Sequence, residues 1–196
     1  MSTAMAPKLM TVEEFLALPD DGVERWLIQG KLRESSPDQE GGEMTKRNRV
    51  HSRVMILVGH LLESWLERQP EPRGQIVGGE AGFILRHDPD STVGVDVAYV
   101  AAHIVSNQTD ETTLFDGPPV LAVEIQSPNN TVKEMTEKVQ EYLASGVQVV
   151  WLIDPYFQTI IVHRPGAGPT LFNGFQILTG DPELPGFSCP VAHFFR

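Results

Sequence analysis

The chain has 196 residues, 41% of them apolar, and a formal net charge of −11. Its length fits one domain, residues 1–196, on one core, and the negative balance counts against a broad phosphate-binding surface, which needs clustered Lys and Arg. No apolar run approaches the roughly 20 residues of a membrane span, residues 1–10 lack a signal peptide's apolar stretch, and the lone Cys189 has no internal partner, so a reducing cytoplasm and no membrane partner are expected.

Thr11-Val12-Glu13-Glu14 reads as a capping box opening a short helix that ends by Leu18-Pro19, with Met10 and Phe15 spaced as a hydrophobic staple. Residues 24–28 and 31–34 follow as two strands about a Gln29-Gly30 turn, and the polar stretch 35–43 as a loop. A longer helix is predicted over roughly residues 46–68, because Val50, Val54, Leu57, Val58, Leu61, Leu62 and Trp65 recur at helical spacing. His51 sits on the flank of that apolar face. Lys46, Arg47, Arg49 and Arg53 form either a local basic patch or a solvated helix start. Strands are predicted near 80–86, 93–100 and 120–127, a helix over 132–145 closed by Gly146, and strands near 149–153 and 158–164. The Pro- and Gly-rich tail, 166–196, reads as a short hairpin with irregular packing. Its Phe187, Phe194 and Phe195 are candidates for a subunit contact. The fold class is α/β (mixed α+β), with a mixed central sheet flanked by helices and an N-terminal helix and hairpin.

Two strands carry a carboxylate among apolar residues, Asp96 and Glu124. A charge in a buried strand is costly unless it is paired or binds a metal. Alternate strand residues share a face, so Asp96 lies with Gly94 and Ala98 and opposite Val95, Val97 and Tyr99; Glu124 lies with Ala122 and Gln126. The small neighbours leave room for an ion such as Mg²⁺, which takes carboxylates, waters and phosphate oxygens. A solvated sheet end or a buried salt bridge is the other outcome. On the following helix, Val132, Met135, Val139, Tyr142 and Leu143 share one arc, with Lys138 at its rim and Lys133 facing water. Lys138 either presents its amine to the sheet or snorkels to the surface. Two carboxylates within reach of one ion, plus that lysine, are the parts of a metal-dependent phosphodiesterase site. Glu80 is a possible third acid, Glu24 reaches the same place or merely caps a strand, and His51 taken alone reads as a surface or satisfied histidine. No P-loop, dinucleotide fingerprint, zinc cysteine pair or serine elbow is present.

Residues 11–16, 24–30, His51, 80–83, 95–100, 123–128, Lys138, Tyr142, Gly146-Val147 and Trp151-Leu152-Ile153-Asp154-Pro155 stand in the order of a known family. Over most of its length the chain resembles the Uma-type family of putative restriction endonucleases, in the PD-(D/E)XK nuclease superfamily. The resemblance implies a restriction-endonuclease-like core of four-stranded mixed sheet flanked by helices. Asp96, Glu124 and the Ile125 carbonyl would hold the metal, Mg with Mn as a substitute. Lys138 would stand in, from the helix, for the superfamily's strand lysine, whose position is Gln126 here. Glutamine can orient a water or phosphate but supplies no charge. Glu24, His51 and Glu80 would be accessory positions around the cleft, and Val95 stands where the family usually has Pro. The implied activity is Mg-dependent endonucleolytic hydrolysis of DNA. Duplex cleavage needs two opposed sites, so a homodimer or higher homo-oligomer is expected. The alternative is a catalytically inactive nuclease-fold module that binds nucleic acid or a protein partner.

Overall fold

Capping and periodicity set most element boundaries in the computed structural model, which describes residues 8–23, 25–34, 48–109, 113–128 and 130–196. Helix α1 (Val12–Leu16) precedes strands β1 (Arg25–Ile28) and β2 (Lys31–Glu34). Helix α2 (Arg49–Leu66) leads into β3 (Gln75–Arg86), β4 (Ser91–Val100), α3 (Ala102–Ser106), β5 (Phe115–Asp116) and β6 (Leu121–Ile125). Then come α4 (Val132–Ala144), β7 (Val149–Asp154), β8 (Thr159–His163) and β9 (Thr170–Asn173). The chain ends in β10 (Ile177–Thr179), β11 (Ser188–Pro190) and a 3-10 helix (Val191–Phe195).

Both capping boxes form: Thr11 with Glu14 starts α1, and Thr131 with Glu134 starts α4. Helix α2 starts later than its apolar pattern suggested, because the Asn48 side chain accepts the Val50 N–H at 2.8 Å and caps it there. Lys46 and Arg47 of the basic cluster lie outside the described residues, and Arg53 donates to the Arg196 carbonyl. Val132, predicted in the buried arc of α4, is the first helical residue and is exposed.

Among the described residues, nine strands form one mixed sheet in the order β2-β1-β4-β6-β7-β8-β9, with β3 on β4 and β5 on β3; β10 and β11 pair separately. The β4–β6 and β7–β8 pairs are antiparallel, and β6–β7, joined through α4, is parallel. On β6 and β7 the alternation holds. Leu121, Val123, Ile125, Trp151 and Ile153 pack with Val54, Val58, Leu62 and Trp65 of α2, whereas Ala122, Val150 and Leu152 pack with Met135, Val139 and Tyr142 of α4. One helix therefore covers each face of the central strands.

Strand β4 departs from this regularity. Along one edge it pairs with β3 throughout. Its other edge is shared, with β1 at Thr92 and β6 at Val97–Tyr99, so these two partners diverge over residues 93–96. On the β3 side, Gly79 and Glu80 together oppose Asp96, between the pairs Gly78↔Val97 and Ala81↔Val95. Both bulge residues have positive φ, 82° and 65°, and such a bulge bends the strand and re-aims its side chains. Strict alternation would keep Val95 with Val97 and Tyr99. Instead Val97 and Tyr99 pack toward α2, while Val93 and Val95 join the cluster containing Trp26 and Phe83. The change of side coincides with the bulge.

The C-terminal segment corrects a second expectation. Strand β9 extends the main sheet, and the β10–β11 hairpin with the 3-10 helix folds back beside α2. The Trp65 indole donates to the Pro185 carbonyl at 2.9 Å. Phe187 and Phe194 are 3% and 0% exposed, so they are core residues and cannot form a subunit contact. Alpha-helix α2 leaves part of the apolar face of β7 and β8 uncovered, and these phenylalanines fill it, with Trp151 6.1 Å from Phe194.

Candidate active site

The β4–β6 register, carried one step past Val97↔Val123, sets Asp96 opposite Glu124. The backbone ladder stops at this step. Asp96 Oδ2 accepts the Ile125 N–H at 2.8 Å, and the following N–H, from Gln126, goes to Ile153 on β7. An aspartate side chain thus completes the end of β6 where β4 turns away. From α2, His51 Nε2 lies 3.1 Å from the same carboxylate oxygen. His51 is buried within the stripe His51, Val54, Val58, Leu62 and Trp65, so it is a partner of the acid and not a flanking surface histidine. Its Nδ1 is buried without a hydrogen-bond partner, and donation from Nε2 to Asp96 satisfies the one contact the ring makes.

Glu124 is held from the other helix layer. Its Oε2 accepts from Lys138 Nζ at 3.2 Å, and its Oε1 accepts the Tyr142 hydroxyl. Residues 138 and 142 are one helical turn apart, which brings both donors to one carboxylate. Lys138 is 7% exposed and lies inside the buried arc, not at its rim, with Nζ 5.2 Å from the centre of the Trp26 ring. Burial pushes the Glu124 carboxyl up to about 7; the Lys138 charge opposes this, Asp96 adds to it, the Tyr142 hydrogen bond opposes it, and Glu80 adds to it. Burial, followed by the Glu124 charge, holds the Tyr142 hydroxyl well above the usual tyrosine range. Tyr142 therefore remains a donor.

Glu80 enters from the bulge and lies over Gly94, where an added Cβ would come 2.6 Å from its Oε2. The small residue beside Asp96 makes room for a third acid. Beyond it lies a cavity of about 250 Å³ whose lining includes Phe15, Trp26, Glu80, Thr92, Gly94 and Lys138. Gln126 is half-buried just past β6, and Glu24 lies outside the described residues. Sequence reasoning missed the part of Trp26, for which a tryptophan on the strand after Glu24 was the only signal. It also missed Glu141, a further buried acid that accepts from Ser91 and Gln29 and ties α4 to the start of β4.

In kind, the donor set fits a hard divalent cation: two carboxylates that the strand register sets opposite each other. Repulsion from Asp96 and Glu80 is part of what raises Glu124, and a bound cation would relieve it. Among the described residues no group of three or more His, Cys, Asp or Glu side chains is arranged to hold an ion. Two carboxylates alone would leave the other positions around a hard divalent cation to water.

A family model described as "Putative restriction endonuclease" matches residues 12–192. The chain belongs to the Uma2 family. No curated protein matches it. Among solved structures, this Uma2 chain is similar to a putative nuclease belonging to DUF820 from Anabaena variabilis ATCC 29413, with a TM-score of 0.76 and 20% identity over 95% of this chain and 97% of that one. At that identity the likeness concerns the fold: a mixed sheet flanked by helices, as the sequence implied. None of the described helices is long and apolar enough to cross a membrane.

Proposed function

We propose that this Uma2 chain is a single-domain, Mg²⁺-dependent DNA endonuclease of the PD-(D/E)XK type. The observation that carries the reading is the meeting of Asp96 and Glu124 at the fork of the sheet, with Lys138 on Glu124. Asp96, Glu124 and the Ile125 carbonyl would hold the cation, with Mn²⁺ able to replace it. A divalent ion there would polarise the scissile phosphate and lower the pKa of the attacking water. Lys138 would supply the positive charge that position 126 lacks and stabilise the charge developing on phosphate. Gln126 would orient water or phosphate. His51 would hold Asp96 in place, and Glu80 would add negative potential beside the metal position. A two-fold homodimer would present two opposed sites to a duplex, and the buried free thiol of Cys189 suits a reducing cytoplasm.

One observation favours a catalytically silent module. Both Glu124 oxygens and Asp96 Oδ2 are already in hydrogen bonds within the protein, so a metal would have to share these oxygens with their donors or displace them. Incubating supercoiled plasmid with the protein in Mg²⁺, Mn²⁺ or EDTA decides between the two. Metal-dependent nicking that Glu124→Ala abolishes is the expected result. Absence of nicking with both ions, in folded protein, supports the silent module.

A further inference from the structure

Among the described residues the only exposed aromatic side chains are Tyr156, Phe157 and Phe175, the first two 54% and 82% exposed and the third fully so. One exposed apolar side chain is ordinary, but these three occupy two neighbouring turns. The register places both turns. Parallel β6 and β7 end together, with Ile125 opposite Ile153. Asp154 pairs with Thr159 across the β7–β8 turn, and Thr159 pairs with Asn173 at the end of β9. The turns after β7 and after β9 therefore stand at the end of the sheet where Glu124 lies one residue before the close of β6. Neighbouring strands lie about 4.8 Å apart, so the two turns are about 5–15 Å from β6 across the sheet.

Both turns are pinned by side chains. Asp154 Oδ1 accepts the Tyr156 and Phe157 N–H groups at 2.8 and 3.0 Å. Asn173 Oδ1 accepts the Phe175 N–H at 3.0 Å, and Gln176 Oε1 accepts the Asn173 N–H at 2.9 Å. Asn48, the cap of α2, donates to the Tyr156 hydroxyl at 2.6 Å, and the next residue, Arg49, is an exposed cation. The rings are thus presented on backbone that has little left to order when a partner binds.

We infer that the Tyr156–Phe157 and Phe175 turns are a contact for duplex DNA flanking the scissile phosphate. A duplex with a phosphate at Asp96 and Glu124 has to run past this end of the sheet. The separation of about 5–15 Å corresponds to about two to four base steps at 3.4 Å each. Apolar side chains wedge against base steps from the minor groove. Such a contact relies less on clustered Lys and Arg than a phosphate track does, in keeping with a net charge of −11, and Arg49 supplies a cation on the same rim. The inference rests on the nuclease reading for its ligand and does not require cleavage.

Fluorescence anisotropy tests it, with the full chain, a fluorescein-labelled duplex oligonucleotide and Ca²⁺, which also takes oxygen ligands. Phe157→Ala and Phe175→Ala should each weaken duplex binding about fivefold or more, the worth of one base–aromatic contact, and the double variant further. Both side chains are exposed, so the unfolding temperature should hold. Ile56→Ala, which trims an exposed apolar side chain elsewhere, on α2, should bind as wild type. Wild-type affinity in the double variant, or no duplex binding by the wild type, overturns the contact. So does a double variant that light scattering shows turned from dimer to monomer with its duplex affinity intact, which assigns the rim to a second copy. Plasmid cleavage separates the two readings. Duplex binding that needs the aromatics, without metal-dependent nicking, keeps the contact and overturns the nuclease reading; nicking with unchanged affinity in the double variant does the reverse.

Discussion

Asp96 and Ile125 meet where the sheet divides, the carboxylate taking at 2.8 Å the N–H that would have formed the next rung of the β4–β6 ladder. One side chain thus finishes a strand and stands beside Glu124. Asp96→Asn retains an oxygen for that N–H and should keep stability within about 1 kcal/mol, while Asp96→Ala leaves the buried N–H unpaired and should cost about 1–3 kcal/mol. Both should lose Mn²⁺ binding by calorimetry. Identical urea midpoints for the two variants would show that the carboxylate does not close the strand.

Lys138 separates an active nuclease from a relic. Lys138→Met keeps most of the stem over Trp26 and removes the ammonium. Plasmid cleavage should fall roughly a hundredfold or more, the loss expected for one preorganised charge. Lys133→Met, on the exposed side of α4, should cleave as wild type. Matching rates for the two variants would take Lys138 out of the mechanism.

Glu124 sets a pH dependence. Its carboxyl is raised by burial from 4.5 to about 7, so the folded state holds its proton over a range in which the unfolded chain has released it. Stability from this group therefore falls as pH rises from about 4.5 to about 7. Glu124→Gln removes that slope: its melting temperature relative to wild type should be lowest near pH 5 and should rise toward pH 8. Mn²⁺ affinity should weaken by up to about tenfold per unit below pH 7, because the ligand must first lose its proton. A wild-type to variant difference that stays flat across this range would contradict the assignment.

The bulge gives a prediction independent of metal. Gly79 has φ 82°, and an added Cβ would meet nothing within 4 Å. Gly79→Ala should therefore cost only backbone strain, about 1–2 kcal/mol, read by chemical denaturation. A change within a few tenths of a kcal/mol would mean that β3 slips to a regular register without the bulge.

Local signals were enough for much of this protein. Thr11, Thr131 and their glutamates write two helix starts into four-residue patterns, and the apolar repeat of α2 and the alternation of β6 and β7 follow from periods of 3.6 and 2. Asp96, Glu124 and Lys138 were legible as chemistry for the same reason, since a charge inside an apolar segment has to be answered by something. What answered it was decided by tertiary structure. His51 reaches Asp96 from 45 positions away, Trp26 on β1 underlies Lys138 of helix α4, and the Gly79–Glu80 bulge on β3 coincides with the change of side on β4. No period within one strand records a bulge in its neighbour. Likewise Phe187 and Phe194 looked available for a partner because their burial depends on how much of the sheet α2 leaves open, a matter of helix width and placement and not of the tail's own composition.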